Sequence, residues 1–379
     1  KKGDDTLYID PTNIQNIPMV SNAVSKLRAS YYFMGALLGR FGHAEIKMPG
    51  GCYLGPRPID LHLKGFESLG ATINYENGCY ILDAKELTGT NIFLDISSVG
   101  ATINIMMAAV YAKGRTTIEN AAREPEIIDI ATLLNKMGAR IHGMGTSTLV
   151  IDGVKELGGC FHEIIPDRIE AATYIIIAAA MADDMIIENI IPQHLEAVIM
   201  KLKQVGIDMK VGTDFIEVFK TDKPLKPTEI LTKPYPGFAT DVQQPFTALL
   251  TQAEGNSTVT ETIYKERFKH CKELNKMGAD IDVMTPSCFI NGKTKLHGEQ
   301  EIEKNTDKYY IFRTAWLYGI GGNNFVKTMT QLGSSRDEIN VVSDQHGSPT
   351  YAKDLTEIIY QAIEKKIPYG IYNATNEGY

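Results

Sequence analysis

The chain has 379 residues, a net charge of −8 and 44% hydrophobic residues, so it is long enough for two or three cores and ordinary for a soluble globular protein. With 46 acidic against 38 basic residues and no basic stripe, it is not expected to bind nucleic acid. Five cysteines (52, 79, 160, 271 and 288) with no C-x-x-C pair suit a reducing cytoplasm and offer neither a disulfide framework nor a zinc site, so no metal and no cofactor are expected.

In chain order, "TLYIDPTNI" (6–14) reads as a strand, with Asp10 standing where Asp83 stands in a later one. "PGGCYLGPRP" (49–58) is too rich in glycine and proline for helix or strand. It therefore holds Cys52 in an irregular, exposed loop, either as a reactive thiol or as a bystander. A repeat then appears: "GFESLGATI" (65–73), "LLNKMGARI" (133–141), "KLKQVGIDM" (201–209) and "ELNKMGADI" (273–281) share a helix end, a glycine and an alternating strand. The glycines at 70, 138, 206 and 278 are spaced by 68, 68 and 72 residues, as helix C′ glycines would be. Each leads into a strand, a tight turn and a second strand, as in "ATINYENGCYILDA" (71–84) and "ARIHGMGTSTLVIDG" (139–153). The pattern predicts α/β units that lay helices against small sheets.

"GATINIMMAA" (100–109) reads as a helix, and "AATYIIIAAAMA" (171–182) as a buried helix too short to span a bilayer, so no membrane association is expected. No basic-then-apolar leader opens the sequence, which is consistent with a cytoplasmic location. In "FKHC" (268–271), His270 beside Cys271 reads as structural. The repeat fades at both ends. The first unit's marker glycine would precede residue 1, and the match stops after "INGKTKLHG" (290–298).

Seven ordered blocks carry a specific resemblance: "LRAS" (27–30), "PGGCYLGPRPIDLH" (49–62), "SSVGATINIMMAA" (97–109), "ENAAREPEIID" (119–129), "PDRIEAATY" (166–174), "FATDVQQPF" (238–246) and "ETIYKERFKHCKELNKMGA" (261–279). On these, residues 1–298 resemble the UDP-N-acetylglucosamine 1-carboxyvinyltransferases, which are enolpyruvyl transferases. The resemblance implies an α/β, two-domain fold of repeated βαβαββ units, incomplete at both ends, with domains at 1–165 and 166–298. It implies phosphoenolpyruvate and UDP-N-acetylglucosamine as substrates, the enolpyruvyl group passing to the sugar 3-hydroxyl. No obligate protein partner is evident.

By the same resemblance, Cys52 is the catalytic proton donor and Arg57 binds the phosphoenolpyruvate anion. Asp241 stands near the sugar hydroxyl as the general base, or else is the N-cap of the helix that follows. Arg28, Pro58, Ile59, Asp60, Leu61, Ser98, Val99 and Gly100 fall where the family holds the nucleotide and diphosphate. Ile263 and Arg267 complete the substrate-binding set. Asp167, Arg168 and Glu170, like Arg123 and Glu124, match family motifs or join the domains by salt bridges. Ile96 departs from the family pattern, in which many members carry a lysine.

Residues 299–379 resemble the C-terminal part of the dTDP-4-dehydrorhamnose reductases, an extended short-chain dehydrogenase fold, through "FRTAWLYG" (312–319), "NNFVKTM" (323–329), "VVSDQHGSPTYAKDL" (341–355) and "GIYNATNEGY" (370–379). "GKTKLHGE" (292–299) reads in either family. The reductase Tyr-x-x-x-Lys pair would fall at 291 and 295, but position 291 is Asn291 and no dinucleotide-binding G-x-G-x-x-G follows a strand, so reductase chemistry is not expected. The family's N-terminal Lys-Asn pair and its late arginine motifs fall outside the matched segment. The expected state is therefore an impaired or inactive transferase, or a non-catalytic UDP-sugar binder. In the tail, "YAKDLTEIIYQAIEKK" (351–366) reads as a helix with Leu355, Ile358, Ile359 and Ile363 on one apolar face.

Overall fold

The computed structural model describes residues 6–48, 50, 59–181, 184–221, 223–292, 308–313, 317–318 and 350–373. The chain divides into a large unit, residues 1–274 with 279–294, and a small one, residues 275–278 with 295–379.

The large unit is built from one repeated topology. Strand β4 (Asn91–Phe93), helix α4 (Val99–Ala109), β5 (Arg115–Glu119), α5 (Pro125–Lys136), β6 (Arg140–His142) and β7 (Thr148–Asp152) form a βαβαββ unit whose sheet runs β4-β5-β7-β6. β4 and β5 are parallel and the remaining pairs antiparallel. The same order recurs in β11 (Glu229–Leu231), α8 (Gln243–Leu250), β12 (Asn256–Thr260), α9 (Lys269–Lys276), β13 (Asp280–Met284) and β14 (Ser287–Asn291), with sheet order β11-β12-β14-β13. Two further units have three-stranded sheets. One combines α2 (Tyr32–Phe41), β1 (His43–Lys47), α3 (Asp60–Ser68), β2 (Thr72–Glu76) and β3 (Cys79–Asp83). The other combines α6 (Arg168–Met181), β8 (Asp184–Glu188), α7 (Glu196–Val205), β9 (Met209–Val211) and β10 (Phe215–Phe219). In the first of these, the place of the missing strand is held by a single parallel bridge from Met19 to Ile46. A short helix, α1 (Asn22–Lys26), precedes it.

Alternation in the strands makes the cores. In β5, β7, β10, β12 and β14 the buried positions are every second residue, so one face of each sheet is apolar and packed against helices. Two hydrophobic clusters result. One runs from Val24 to Ile151 and the other from Ala171 to Ile290. In the first, α2 lies against α4 so closely that a β-carbon on Gly35 would come within 2.2 Å of the Asn104 carbonyl oxygen.

The four marker glycines all adopt left-handed backbone, with φ of 95°, 107°, 97° and 94°. At each, the amide one residue further on reaches the carbonyl five residues back: Ala71 to Phe66, Ala139 to Leu134, Ile207 to Leu202 and Ala279 to Leu274. This is the Schellman ending that the repeat predicts. A β-carbon on Gly138 would touch nothing within 4 Å, so only its φ demands glycine. Gly138→Ala is therefore expected to cost about 1 kcal/mol, read as a lowered urea midpoint with unchanged slope.

Three expectations are corrected. Residues 6–14 form no strand beyond one β-bridge position at Leu7. Asp10 Oδ1 accepts from the Thr12 amide (3.0 Å) and hydroxyl (2.5 Å), and Pro11 has no amide to give a ladder, so a local turn replaces the strand. Helix α6 is buried on one side only: Ala172 and Ile175 are fully buried, while Tyr174 and Met181 are 52% and 84% exposed. In the small unit, the helix Ala352–Glu364 turns Leu355, Ile359 and Ala362 inward, while Ile358 and Ile363 are exposed. The 3.6-residue period puts Ile358 and Ile363 on the two flanks of the stripe that Leu355, Ile359 and Ala362 define. The small unit also pairs β15 (Tyr310–Arg313) with β18 (Gly370–Asn373), and β16 (Leu317–Tyr318) with β17 (Thr350–Tyr351), both in parallel.

Candidate active site

Cys52, Arg57 and Pro58 lie outside the described residues. The other candidate residues gather in two groups, one on each core.

The first group surrounds the start of α4. Ser98 is its N-cap, and the Ser98 hydroxyl accepts from the Ala101 amide at 3.3 Å. Val99 and Gly100 are thus the first helical residues, where amides have no partner inside the helix and favour an anion. Gly100 is pressed against two side chains: a β-carbon there would stand 2.8 Å from the Tyr31 hydroxyl and 3.2 Å from His62 Nε2. The Arg28 guanidinium lies over the Tyr31 ring, 5.4 Å from its centre. Arg28, the Tyr31 hydroxyl, His62 Nε2 and the first amides of α4 therefore converge on one corner. Ile59 is buried in the first core and Leu61 packs against it, so any binding role falls to their backbone. Asp60 is exposed in the first turn of α3. Ile96 is 68% exposed beside Asp95, whose carboxylate takes Lys64 at 2.7 Å.

Asn104 fixes this corner. Its side-chain nitrogen donates to the Tyr31 carbonyl (3.0 Å) and lies 2.9 Å from His62 Nδ1, while its oxygen accepts from the Gly35 amide (2.9 Å). Because the amide nitrogen is the donor, His62 Nδ1 accepts and the ring proton sits on Nε2, facing Gly100. Burial pushes the His62 pKa down to about 4, helped by Arg28 and opposed by Asp60. The unfolded chain then binds a proton that the folded chain refuses, so His62 costs nothing above its unfolded pKa and progressively destabilises as pH falls towards 4. The loss is of order 3 kcal/mol. His62→Gln keeps the acceptor and is expected to flatten that part of the urea midpoint's fall between pH 7 and pH 4.5.

The second group is organised by Asp241, in the 3-10 turn Thr240–Val242 that leads into α8. No side chain caps that turn or α8, whose N-cap is Val242, so the helix-cap alternative for Asp241 fails. The carboxylate is held instead by Arg267 Nη2 at 2.5 Å. Arg267 is 11% exposed at its side chain and Asp241 53%, so the buried cation presents the carboxylate outward. Arg267 Nη1 also donates to the Thr240 hydroxyl (3.1 Å), and its carbonyl accepts from Gln243 (2.7 Å). Beneath lies Glu261, fully buried, which accepts from the hydroxyls of Thr232 (2.6 Å) and Thr240 (2.7 Å). Glu261 also takes the amides of Ile263 (3.0 Å) and Tyr264 (3.2 Å). Ile263 thus enters the group through its backbone.

Among the remaining motif residues, Asp167 caps α6 by accepting the amides of Ile169 (2.8 Å) and Glu170 (3.2 Å). Arg168 pairs with Glu126 on α5 at 3.0 Å and lies over the Tyr235 ring. Arg123 donates to the Tyr235 carbonyl at 3.3 Å. Arg123 and Arg168 thus tie the first core's helix α5 region to the second core. Asn291, where the reductase tyrosine would stand, is on β14 and donates to Asp280 at 2.8 Å. Lys295 lies outside the described residues.

A family model described as EPSP synthase (3-phosphoshikimate 1-carboxyvinyltransferase) matches residues 1–307. The chain is 58% identical over 290 residues to UDP-N-acetylglucosamine 1-carboxyvinyltransferase 2 of Geobacillus kaustophilus, covering 76% of this chain and 68% of that one. The chain belongs to the UDP-N-acetylglucosamine 1-carboxyvinyltransferase family. This is a family of transferases, and its Bacillus subtilis member of the same name is 56% identical over 292 residues, covering 77% of this chain and 68% of its own length. The fold agrees with the solved enolpyruvyl transferase NikO from Streptomyces tendae, at a TM-score of 0.65 and 24% identity, over 76% of this chain and 67% of that one. The chain is also a composite. A second family model, the RmlD substrate binding domain, matches residues 281–379 and overlaps the first over 281–307. Among the described residues no helix is long and apolar enough to cross a membrane.

Sequence reasoning missed Tyr31, His62, Asn104, Thr240 and Glu261. Of these, only His62 and Glu261 carried a signal, a titratable residue within an amphipathic helix or directly after an alternating strand.

Proposed function

We propose that this chain carries the enolpyruvyl-transfer site of its family. It would move the enolpyruvyl group of phosphoenolpyruvate to the 3-hydroxyl of UDP-N-acetylglucosamine and release phosphate, in the cytoplasm. The observation that carries this reading is the outward-facing Asp241 carboxylate, clamped by Arg267, in a chain 58% identical to a UDP-N-acetylglucosamine 1-carboxyvinyltransferase.

In this reading the corner of Arg28, Ser98, Val99 and Gly100 holds the diphosphate, the guanidinium supplying a forked cation and the α4 amides a fixed partial positive charge. His62, neutral at physiological pH, adds a donor without adding charge. Asp241 takes the proton of the sugar hydroxyl as that oxygen attacks. Its Arg267 bond fixes the carboxylate's direction for the purpose. Cys52 supplies the proton to the enol methylene carbon, and Arg57 holds the phosphate of phosphoenolpyruvate. A thiol suits that task because its acidity is readily tuned.

The test is phosphate release from phosphoenolpyruvate, followed with and without UDP-N-acetylglucosamine, alongside calorimetric titration with the UDP-sugar. Release that requires both substrates supports the proposal. UDP-sugar binding without release would replace it with a non-catalytic UDP-sugar binder. Neither binding nor release would overturn both.

A further inference from the structure

Asn104 lies in the second turn of α4, fully buried behind the corner that Arg28, Tyr31, His62 and Gly100 form. Its carboxamide has one acceptor oxygen and two N–H donors. The oxygen accepts from the Gly35 amide at 2.9 Å, and the nitrogen donates to the Tyr31 carbonyl at 3.0 Å. Those two partners cannot exchange roles, since a backbone amide only donates and a backbone carbonyl only accepts. They set the carboxamide one way round, and its second N–H meets His62 Nδ1 at 2.9 Å. Gly35 makes this approach possible, because a β-carbon there would stand 2.8 Å from Asn104 Oδ1.

On the reading that this corner takes the diphosphate of a UDP-sugar, we propose that Asn104 is its positioning residue. It holds His62 as a neutral Nε2–H donor turned to the ligand, and it anchors Tyr31 beneath the Arg28 guanidinium. A neutral imidazole has one protonated and one bare nitrogen, and a bare Nε2 would set a lone pair against a phosphate oxygen. Asn104 occupies Nδ1 as a donor, so the proton is left on the nitrogen that faces Gly100. Asn104 also holds the carbonyl of Tyr31, whose ring lies under Arg28 and edge-on to His62 at 5.0 Å. One side chain thereby fixes both His62 and Tyr31, and through Tyr31 bears on Arg28.

Among the described residues, the ring's only hydrogen bond is the one to Asn104. The charged groups around it leave it neutral at physiological pH. Burial lowers its pKa most, Arg28 lowers it further and Asp60 raises it, with a result of about 4. Tyr31 is the remaining titratable group against the ring, and α4 brings only Gly100 and Asn104, which do not titrate. An anion in place of Asn104 would reverse this, because a carboxylate oxygen at Nδ1 can only accept and so favours a proton there.

The experiment compares the unsubstituted chain with Asn104→Asp, which keeps the shape and the acceptor for Gly35 but sets an anionic oxygen against Nδ1. NMR spectra that correlate ring protons with both nitrogens of labelled histidine read the proton's place without any ligand, and the His62 signal is the one that His62→Gln removes. At about pH 7 the unsubstituted chain is expected to show Nε2 protonated and Nδ1 bare, and the variant Nδ1 protonated. Calorimetric titration with UDP-N-acetylglucosamine, whose diphosphate has no titrating proton near neutrality, reads the consequence. Affinity in the unsubstituted chain is expected to change little between about pH 6 and pH 8. In the variant it is expected to be about tenfold weaker at about pH 8, and to recover as the pH falls and the ring gains its second proton. An unsubstituted ring protonated on Nδ1 would overturn the proposal, and that result needs no variant to fold. So would a variant in which Nδ1 stays bare, or one whose tautomer moves while affinity and its pH profile do not. The expected spectra with no UDP-sugar binding by the unsubstituted chain would overturn the assignment of the corner and the proposal with it. Binding with the wrong tautomer would overturn the proposal alone.

Discussion

Asp241→Asn is expected to lower phosphate release dependent on both substrates by a factor of about 100 to 10,000, the usual worth of a positioned general base. The substitution keeps size and leaves an oxygen to accept from Arg267, so the local geometry should persist. UDP-sugar affinity is expected to change no more than a few-fold, because a base acts chiefly in the transition state. Stability should barely move: Asp241 is 53% exposed at its side chain, and exposed ion pairs contribute about 0–1 kcal/mol. The decisive pattern is a fall in kcat with constant KM and constant urea midpoint. Turnover surviving within a few-fold would remove Asp241 from the chemistry.

What the sequence made legible was local. Each marker glycine is needed within one residue of its helix end, so the repeat at 70, 138, 206 and 278 announced four Schellman endings that the backbone then displays. The tight turn at Asn77-Gly78 was readable for the same reason, since both residues take positive φ there, at 51° and 78°. Ser98, which the resemblance named only as a nucleotide contact, is also the N-cap of α4. The strand expected at 6–14 failed because the Asp10–Thr12 turn competes for the same backbone. The burial expected of α6 holds on one side only, because composition reports what a helix could bury, not what packs against it.

The site was legible only in part, because its decisive contacts are long-range. Asn104 reaches Tyr31 across 73 residues and Gly35 across 69, and Arg267 reaches Asp241 across 26. No periodicity reports such pairs. Family blocks named Asp241 and Arg28, yet left open whether Asp241 was a base or a cap. The structure removes the cap, since no side chain caps that turn or α8, and shows the Arg267 pair in its place.

Glu261→Ala is expected to be among the most damaging single changes to the second core. The carboxylate is fully buried and answers four donors: the hydroxyls of Thr232 and Thr240 and the amides of Ile263 and Tyr264. Truncation leaves all four facing a cavity, and hydrogen bonds to a charged group contribute about 1.5–3 kcal/mol each before relaxation. A loss of about 3 kcal/mol or more follows, since water entering the cavity recovers only part of it. Glu261→Gln keeps the shape and one acceptor oxygen. Its amide nitrogen can donate to the Thr240 hydroxyl, which already accepts from Arg267 and has a second lone pair to offer. The glutamine variant should therefore lose only about 1 kcal/mol. Urea unfolding followed by circular dichroism compares the two. Equal losses would mean that neither the retained volume nor one acceptor oxygen is enough, and that only the complete carboxylate holds the Thr232–Thr240–Arg267 chain together.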